Sequence, residues 1–233
     1  MKAIILNGGK GSRMGNLVKN IPKCLVELKN KETILGSQLV ILKKLGITEI
    51  IIVTGYLKEK IIKYASGFDN VITYIDNPLY LETNAIYGMY LCSNLIDDDF
   101  IVMHGDMVFE EKLILDFLKS EEKNSVLVSS QKFLPKKDFK AHIKNNIVEK
   151  IGVNLFDDRC KFLLPFYKLD KKSLQIWMNK IVEFVKLGRK NIYAEEAFNE
   201  VSLKIKLKPF YFENALCMEI DNEEDLKIAR EKL

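Results

Sequence analysis

Short apolar runs alternate along this chain with amphipathic stretches, and glycine, proline and asparagine punctuate them. Residues 3–6 form a first apolar strand, a glycine-rich loop follows, and a short strand is expected near 25–28. Leu35, Leu39, Leu42 and Leu45 keep helical spacing, which predicts a helix over 35–45 ended by Gly46. Glu49-Ile50-Ile51-Ile52-Val53 reads as a buried strand, 58–64 as a helix, and 71–75 as a strand closed by Asn77-Pro78. This alternation predicts an α/β fold, a mostly parallel, Rossmann-like twisted sheet with helices on both faces.

Beyond that, the pattern predicts a helix over 84–95, a strand over 99–104 ending at Gly105-Asp106, a helix over 112–119 and a strand over 125–129. Between about 133 and 164 it changes to short alternating stretches with Asn145-Asn146 as a turn, which fits a small antiparallel insertion lying over the sheet. A long helix over 173–187 stops at Gly188, and another covers 194–203. The last strand is expected near 216–220. Residues 222–233 make the terminal helix, with Asn222 as N-cap and Glu223 and Glu224 in its first turn. No internal repeat is visible, and residues 1–233 read as one domain.

Composition narrows the function. The chain has 233 residues, 48% of them hydrophobic, enough for one sizeable core. The 36 basic and 32 acidic residues are mixed along the chain, and the net charge of +4 forms no basic stripe with interleaved aromatics, so nucleic acid is not the expected partner. Cys24, Cys92, Cys160 and Cys217 are widely spaced, contain no C-x-x-C pair, and look like buried thiols of a cytoplasmic protein. No apolar run approaches the ~18 residues of a membrane span, and the opening Met-Lys-Ala-Ile-Ile-Leu is too short and then too glycine-rich for a signal peptide.

The chemistry concentrates in the first 23 residues. Leu6-Asn7-Gly8-Gly9-Lys10-Gly11-Ser12-Arg13 lies at a strand end, where glycines let backbone N–H groups approach a polyphosphate. Arg13 and Lys23 add positive charge at set places beyond the glycines. No glycine here is followed by Lys-Ser or Lys-Thr at P-loop spacing. Met14 stands where a dinucleotide fingerprint needs its third glycine, and the segment runs into Pro22 instead of an apolar helix.

The stretch from Leu6 to Arg13, with Pro22-Lys23 after it, resembles the signature L-x-[AG]-G-x-G-[ST]-R…P-K of NTP transferases, the nucleotidyltransferase family that moves a nucleotidyl group from an NTP to a phosphorylated small molecule. Asn7 departs from the small residue common in the signature. Val53-Thr54-Gly55-Tyr56, Tyr80…Thr83-Asn84-Ala85-Ile86-Tyr87, Gly105-Asp106-Met107 and the segment from Glu219 to Leu226 fall in the family's order. Asp138-Phe139-Lys140 and Tyr193-Ala194-Glu195-Glu196-Ala197 resemble elements of its small-acceptor cytidylyltransferases, among them bacterial phosphocholine cytidylyltransferases and CTP:phosphoglutamine cytidylyltransferase.

What the resemblance implies is a GT-A-like fold and transfer of CMP from CTP to a small phosphorylated amine or amino acid, with pyrophosphate released, for capsule or surface-glycan modification. Phosphoglutamine is the favoured acceptor and phosphocholine the next. Arg13 and Lys23 would be catalytic. Leu6, Asn7, Gly8, Gly9, Gly11, Ser12, Gly55, Tyr56, Thr83, Asn84 and Asp106 would surround the nucleotide, and Tyr87, Lys140, Glu195 and Glu196 the acceptor. Asp106 and Asp221, both expected at strand ends, would hold Mg²⁺. An Asp beside Asn222 reads equally well as a helix cap, and Lys140 as a solvated lysine beside Lys136 and Lys137. His104 and His142 read as packing residues. A homodimer is compatible with this reading. Two alternatives stay open: a sugar-1-phosphate nucleotidylyltransferase using UTP or dTTP, and a catalytically silent nucleotide-sensing subunit.

Overall fold

The computed structural model describes residues 1–233. In chain order the elements are β1 (Lys2–Leu6), α1 (Ile34–Lys44), β2 (Glu49–Thr54), α2 (Lys58–Ala65), β3 (Val71–Asp76), α3 (Ala85–Leu91), β4 (Phe100–His104), β5 (Met107–Phe109), α4 (Glu111–Lys119) and β6 (Ser125–Ser129). Then come β7 (Lys140–Lys144), β8 (Ile147–Gly152), β9 (Cys160–Leu169), α5 (Lys171–Lys186), α6 (Ala194–Asn199), α7 (Ser202–Ile205), β10 (Lys208–Phe212), β11 (Cys217–Glu219) and α8 (Glu223–Lys232).

The main sheet runs β10-β6-β9-β4-β1-β2-β3, and only β9 is antiparallel to its neighbours on that path. Side chains of β1 alternate between two cores: Ile4 belongs to one with α3, α5, α6 and α7, while Ala3 and Ile5 belong to the other with α1, α2 and α4. Helices therefore cover both faces, as the continuous apolar strands require.

The long strand β9 pairs with β7 over Cys160–Phe162, with β6 from Leu163 onward, and with β4 over Phe166–Leu169. Its register against β6 shifts opposite Val126/Leu127, where Pro165, which has no N–H to donate, is accommodated in a bulge. The hairpin β7-β8 turns at Asn145 and Asn146, with φ of 50° and 56°, the left-handed pair that a tight hairpin turn demands.

Several boundaries differ from expectation. Residues 25–28 form no strand: Lys23–Leu25 is a 3₁₀ turn and Glu27 makes an isolated bridge to Thr33. The helix expected over 84–95 ends at Leu91 and passes through a 3₁₀ turn at Ser93–Leu95, and the one over 194–203 is broken into α6 and α7. β5 and β10 carried no clear alternation and pair only through tertiary neighbours, β5 with β11 and β10 with β6. Strand β9 reaches beyond the expected insertion boundary, to Leu169.

A third, smaller core joins α8 to the glycine-loop segment through Met14, Val18, Ile220, Leu226 and Ala229. It anchors the end of the chain beside its beginning. The four cysteines are free and buried. No helix is long and apolar enough to cross a membrane.

Candidate active site

A cleft of about 260 Å³ opens at the carboxyl ends of β1, β2 and β4, the edge where open α/β sheets bind ligands. Of the residues expected around a nucleotide, Leu6, Asn7, Gly8, Gly9 and Gly11 line it from the first loop. Thr83, Asn84 and Asp106 line it from α3 and β4. Arg13, Lys23 and Asp221 close the same cleft.

Ser12, Gly55, Tyr56, Tyr87, Lys140, Glu195 and Glu196 are not among its lining residues. Gly55 and Tyr56 brace the loop from behind, the Tyr56 N–H donating to the Gly8 carbonyl at 3.3 Å and the Tyr56 hydroxyl to the Lys19 carbonyl at 2.7 Å. Tyr87 stacks on Tyr90, their centroids 5.5 Å apart. Glu196 is an exposed partner of Arg189 at 3.2 Å.

Lys140 is fully buried instead of solvated. Its ammonium donates to the Pro135 and Asp138 carbonyls at 2.8 and 2.9 Å and lies over the Phe156 ring at 4.2 Å. Burial holds its pKa below the ordinary lysine value. These contacts tie down the loop before β7.

The charged centre is built by packing two strand ends together. Asp106 follows β4, and Asp221 follows β11. Asn222 caps α8 by accepting from the Asp225 N–H at 3.0 Å, and Asp225 accepts in return from the N–H groups of Asp221 and Asn222 at 2.9 and 3.2 Å. The cap is thus Asn222 with Asp225, which leaves the Asp221 carboxylate free. Asp221 takes the Lys23 ammonium on Oδ1 at 2.7 Å and Arg13 on Oδ2 at 2.8 Å. Lys23 also pairs with Asp106. The Lys23 stem runs beside Gly11, where any β-carbon would collide with it, so the loop's third glycine also makes room for this lysine.

Burial pulls the Lys23 pKa down, and the charges of Asp106 and Asp221 more than reverse it. For Asp106, burial pushes up and is outweighed by the charges of Lys23 and His104, so it stays ionised below its ordinary range. Its Oδ1 is buried without a hydrogen-bond partner. Two carboxylates gathered on one cation, with a bare buried oxygen beside them, form a hard-oxygen donor set that fits a small divalent ion. His104, Asp106 and Glu219 also bring donor atoms within 4.8 Å of one another.

His104 is more than a packing residue. Its Nδ1 lies 2.9 Å from Glu219 Oε1. Burial alone would lower its pKa, but the hydrogen bond and charge of Glu219, with Glu195 and Asp106 adding, raise it to about 9. Sequence reasoning missed Glu219, although period-2 alternation places it with Asp221 on one side of the chain end. Phe139 packs edge-on to His104 and to Tyr193, centroids 6.1 and 4.9 Å apart, and both aromatics line the cleft with Asp138 and Lys137. Behind them Glu195 is buried, its Oε1 accepting from the Tyr167 hydroxyl at 2.8 Å while Oε2 has no partner. His142 lies elsewhere, 3.6 Å from Glu149 and 3.7 Å from Asp157.

With its polar groups gathered at the ends of parallel strands, the fold is that of a nucleotide-handling α/β protein. The chain belongs to the MobA-like NTP transferase domain family, whose model matches residues 3–164, and is a nucleotidyltransferase. It is 27% identical to the CTP:phosphoglutamine cytidylyltransferase of Campylobacter jejuni, over the whole of both chains. It is 31% identical to the choline-phosphate cytidylyltransferase of Streptococcus pneumoniae over 120 residues, 52% of this chain and 51% of that one. The solved CTP:phosphocholine cytidylyltransferase of Streptococcus pneumoniae superposes with a TM-score of 0.84 at 22% identity, covering 99% of this chain and 97% of that one. The inositol-1-phosphate CTP transferase of T. maritima does so at 0.80 and 21%, covering 98% and 93%. These likenesses bear out the mostly parallel nucleotidyltransferase fold expected from the sequence.

Proposed function

We propose that this protein transfers CMP from CTP to a small phosphorylated amine or amino acid and releases pyrophosphate. One observation carries the reading: the end-to-end match to a CTP:phosphoglutamine cytidylyltransferase, in a chain that keeps the glycine loop, Arg13, Lys23, Asp106 and Asp221 around one cleft.

In the proposed reaction a phosphate oxygen of the acceptor attacks the α-phosphorus of CTP. The bond to the bridging oxygen breaks and pyrophosphate leaves with the electron pair. The acceptor phosphate is already ionised at neutral pH, so no general base is assigned. The loop from Leu6 to Gly11 cradles the triphosphate with backbone N–H groups, while Arg13 and Lys23 stabilise charge on the α-phosphoryl and the departing pyrophosphate. Asp106 and Asp221 would hold Mg²⁺, which supplies charge neutralisation on the phosphates. Asn84 and Thr83 border the nucleotide.

The acceptor wall is assigned to Phe139, Tyr193 and Glu219, with Glu195 behind it. The buried Glu195 carboxylate, whose Oε2 has no partner, favours an ammonium-bearing acceptor, and Lys137 offers a cation for a carboxylate at the cleft's rim. Lys140, tied to carbonyls, leaves that task. An amino-acid phosphate uses both charges and is favoured over phosphocholine. CTP use implies a cytoplasmic reaction, and the product would serve as an activated head group for surface-glycan modification.

The test is pyrophosphate release with CTP, UTP and dTTP across an acceptor panel. Phosphoglutamine with CTP is expected to exceed phosphocholine in kcat/KM by at least about tenfold, or ~1.4 kcal/mol. Preference for phosphocholine would remove the carboxylate requirement. Preference for UTP or dTTP with sugar phosphates would replace the cytidylyltransferase reading, and no release with any pair would leave a nucleotide-sensing subunit.

A further inference from the structure

We propose that Lys23 is the resident counter-cation of the Asp106–Asp221 pair, so that the protein alone excludes a divalent ion and admits it only when nucleotide draws the lysine away. The inference rests on the reading of Asp106 and Asp221 as the metal pair.

Two carboxylates brought together from strand ends 115 positions apart in sequence need positive charge between them. One ammonium supplies it, binding Asp106 and Asp221 Oδ1 at once. The geometry is that of a cation site filled from within, because one oxygen of each carboxylate, Asp106 Oδ2 and Asp221 Oδ1, already faces Nζ. An ion cannot enter while the ammonium stays, since like charges at contact distance in a partly buried site repel strongly. Arg13 cannot take over the task, for it is the more exposed cation and reaches only the far oxygen of Asp221.

Lys23 can leave without unfolding anything. Its backbone is fixed by the 3₁₀ turn and its stem lies against Gly11, but the four-carbon chain lets the ammonium swing within the cleft. Its second position is the triphosphate cradled by that same loop. Nucleotide therefore offers Lys23 a new anionic partner, and the vacated carboxylates receive the ion. Occupancy of one site then favours the other, and this coupling is reciprocal.

The test measures metal binding directly. Mn²⁺ is titrated by electron paramagnetic resonance into the full chain without nucleotide, for the wild type, Lys23→Met and Lys23→Gln. Both variants are expected to bind Mn²⁺ at least about tenfold more tightly than the wild type, and their melting temperatures to be lowered in EDTA and restored by Mn²⁺. Adding Asp221→Asn to Lys23→Met should abolish the gain, which locates the ion. Should the variants fold only with Mn²⁺ present, that also supports the proposal. Variants that fold but bind Mn²⁺ no more tightly overturn it, as do variants that stay unfolded in saturating Mn²⁺. If the wild type with CTP binds Mn²⁺ normally, that failure concerns the lysine alone. If protein-bound Mn²⁺ is absent even with CTP, the metal-pair reading fails as well.

Discussion

The two ends of the cleft are built in opposite ways. At the glycine-loop end, Leu6, Asn7, Gly8, Gly9, Gly11 and Arg13 line the cleft from one short stretch, and Asp106 and Asp221 are gathered on Arg13 and on Lys23 ten residues further along. At the far end, His104, Phe139, Tyr193 and Glu219 come from β4, the loop before β7, the N-terminus of α6 and β11. Each of these is held by another: His104 by Glu219, and Phe139 by His104 and Tyr193. A site for a constant chemical group can be written as a short spacing of residues, because backbone N–H groups and one or two charges do most of the work. A site for a variable group is made from side chains, and these meet only after the sheet has formed.

The largest expected effect tests the loop end. Asp106→Asn and Asp221→Asn should each lower turnover at least about a hundredfold, ~3 kcal/mol of barrier, with the melting temperature held near wild type. Steady-state pyrophosphate release at saturating Mg²⁺ checks this. Near-normal turnover in either variant would detach that carboxylate from the chemistry and weaken the contrast between the two ends.

Next comes the seam joining β1 to β4. A β-carbon at Gly105 would overlap the Asn7 side chain, whose Nδ2 is already buried without a partner. Gly105→Ala should cost about 1–3 kcal/mol of stability by overpacking. Asn7→Ala in the same chain should recover part of it, and denaturant titration of the double-mutant cycle reads the coupling. Simple additivity would show that the two residues do not share the space.

At the far end, Glu195→Gln keeps the shape and removes the charge. The acceptor KM should rise about tenfold, ~1.4 kcal/mol, while the KM for CTP and the melting temperature hold. Equal shifts in both KM values would mean that the two ends are not energetically separate.

The smallest effect concerns the helix that carries Asp221 into place. Asn222→Ala removes the cap of α8 and should cost ~1 kcal/mol in thermal or chemical unfolding. No loss would assign the hold on α8 to Ile220, Leu226 and Ala229 in the small core instead.

Much of the fold was legible because its signals are local. The spacing of Leu35, Leu39 and Leu42 marked α1, the run through Ile50, Ile51 and Ile52 marked β2, and Asn145-Asn146 marked the hairpin turn. The strand expected at 25–28 failed because Val26 and Leu28 serve the small core beside α8 and not a ladder. Strands β5 and β10 were missed because only their partners define them.

The sequence by itself determined the alternating α/β architecture, the glycine loop and the acids and bases surrounding it, since propensity, periodicity and charge act over a few neighbouring residues. It could not reveal that Lys140 turns inward to carbonyls, that Lys23 bridges two carboxylates, or that His104 and Glu219 hold one another. Only the tertiary structure decided those, because the partner that desolvates, pairs or satisfies a buried polar group is chosen by packing between distant segments and leaves no mark at its own position in the chain.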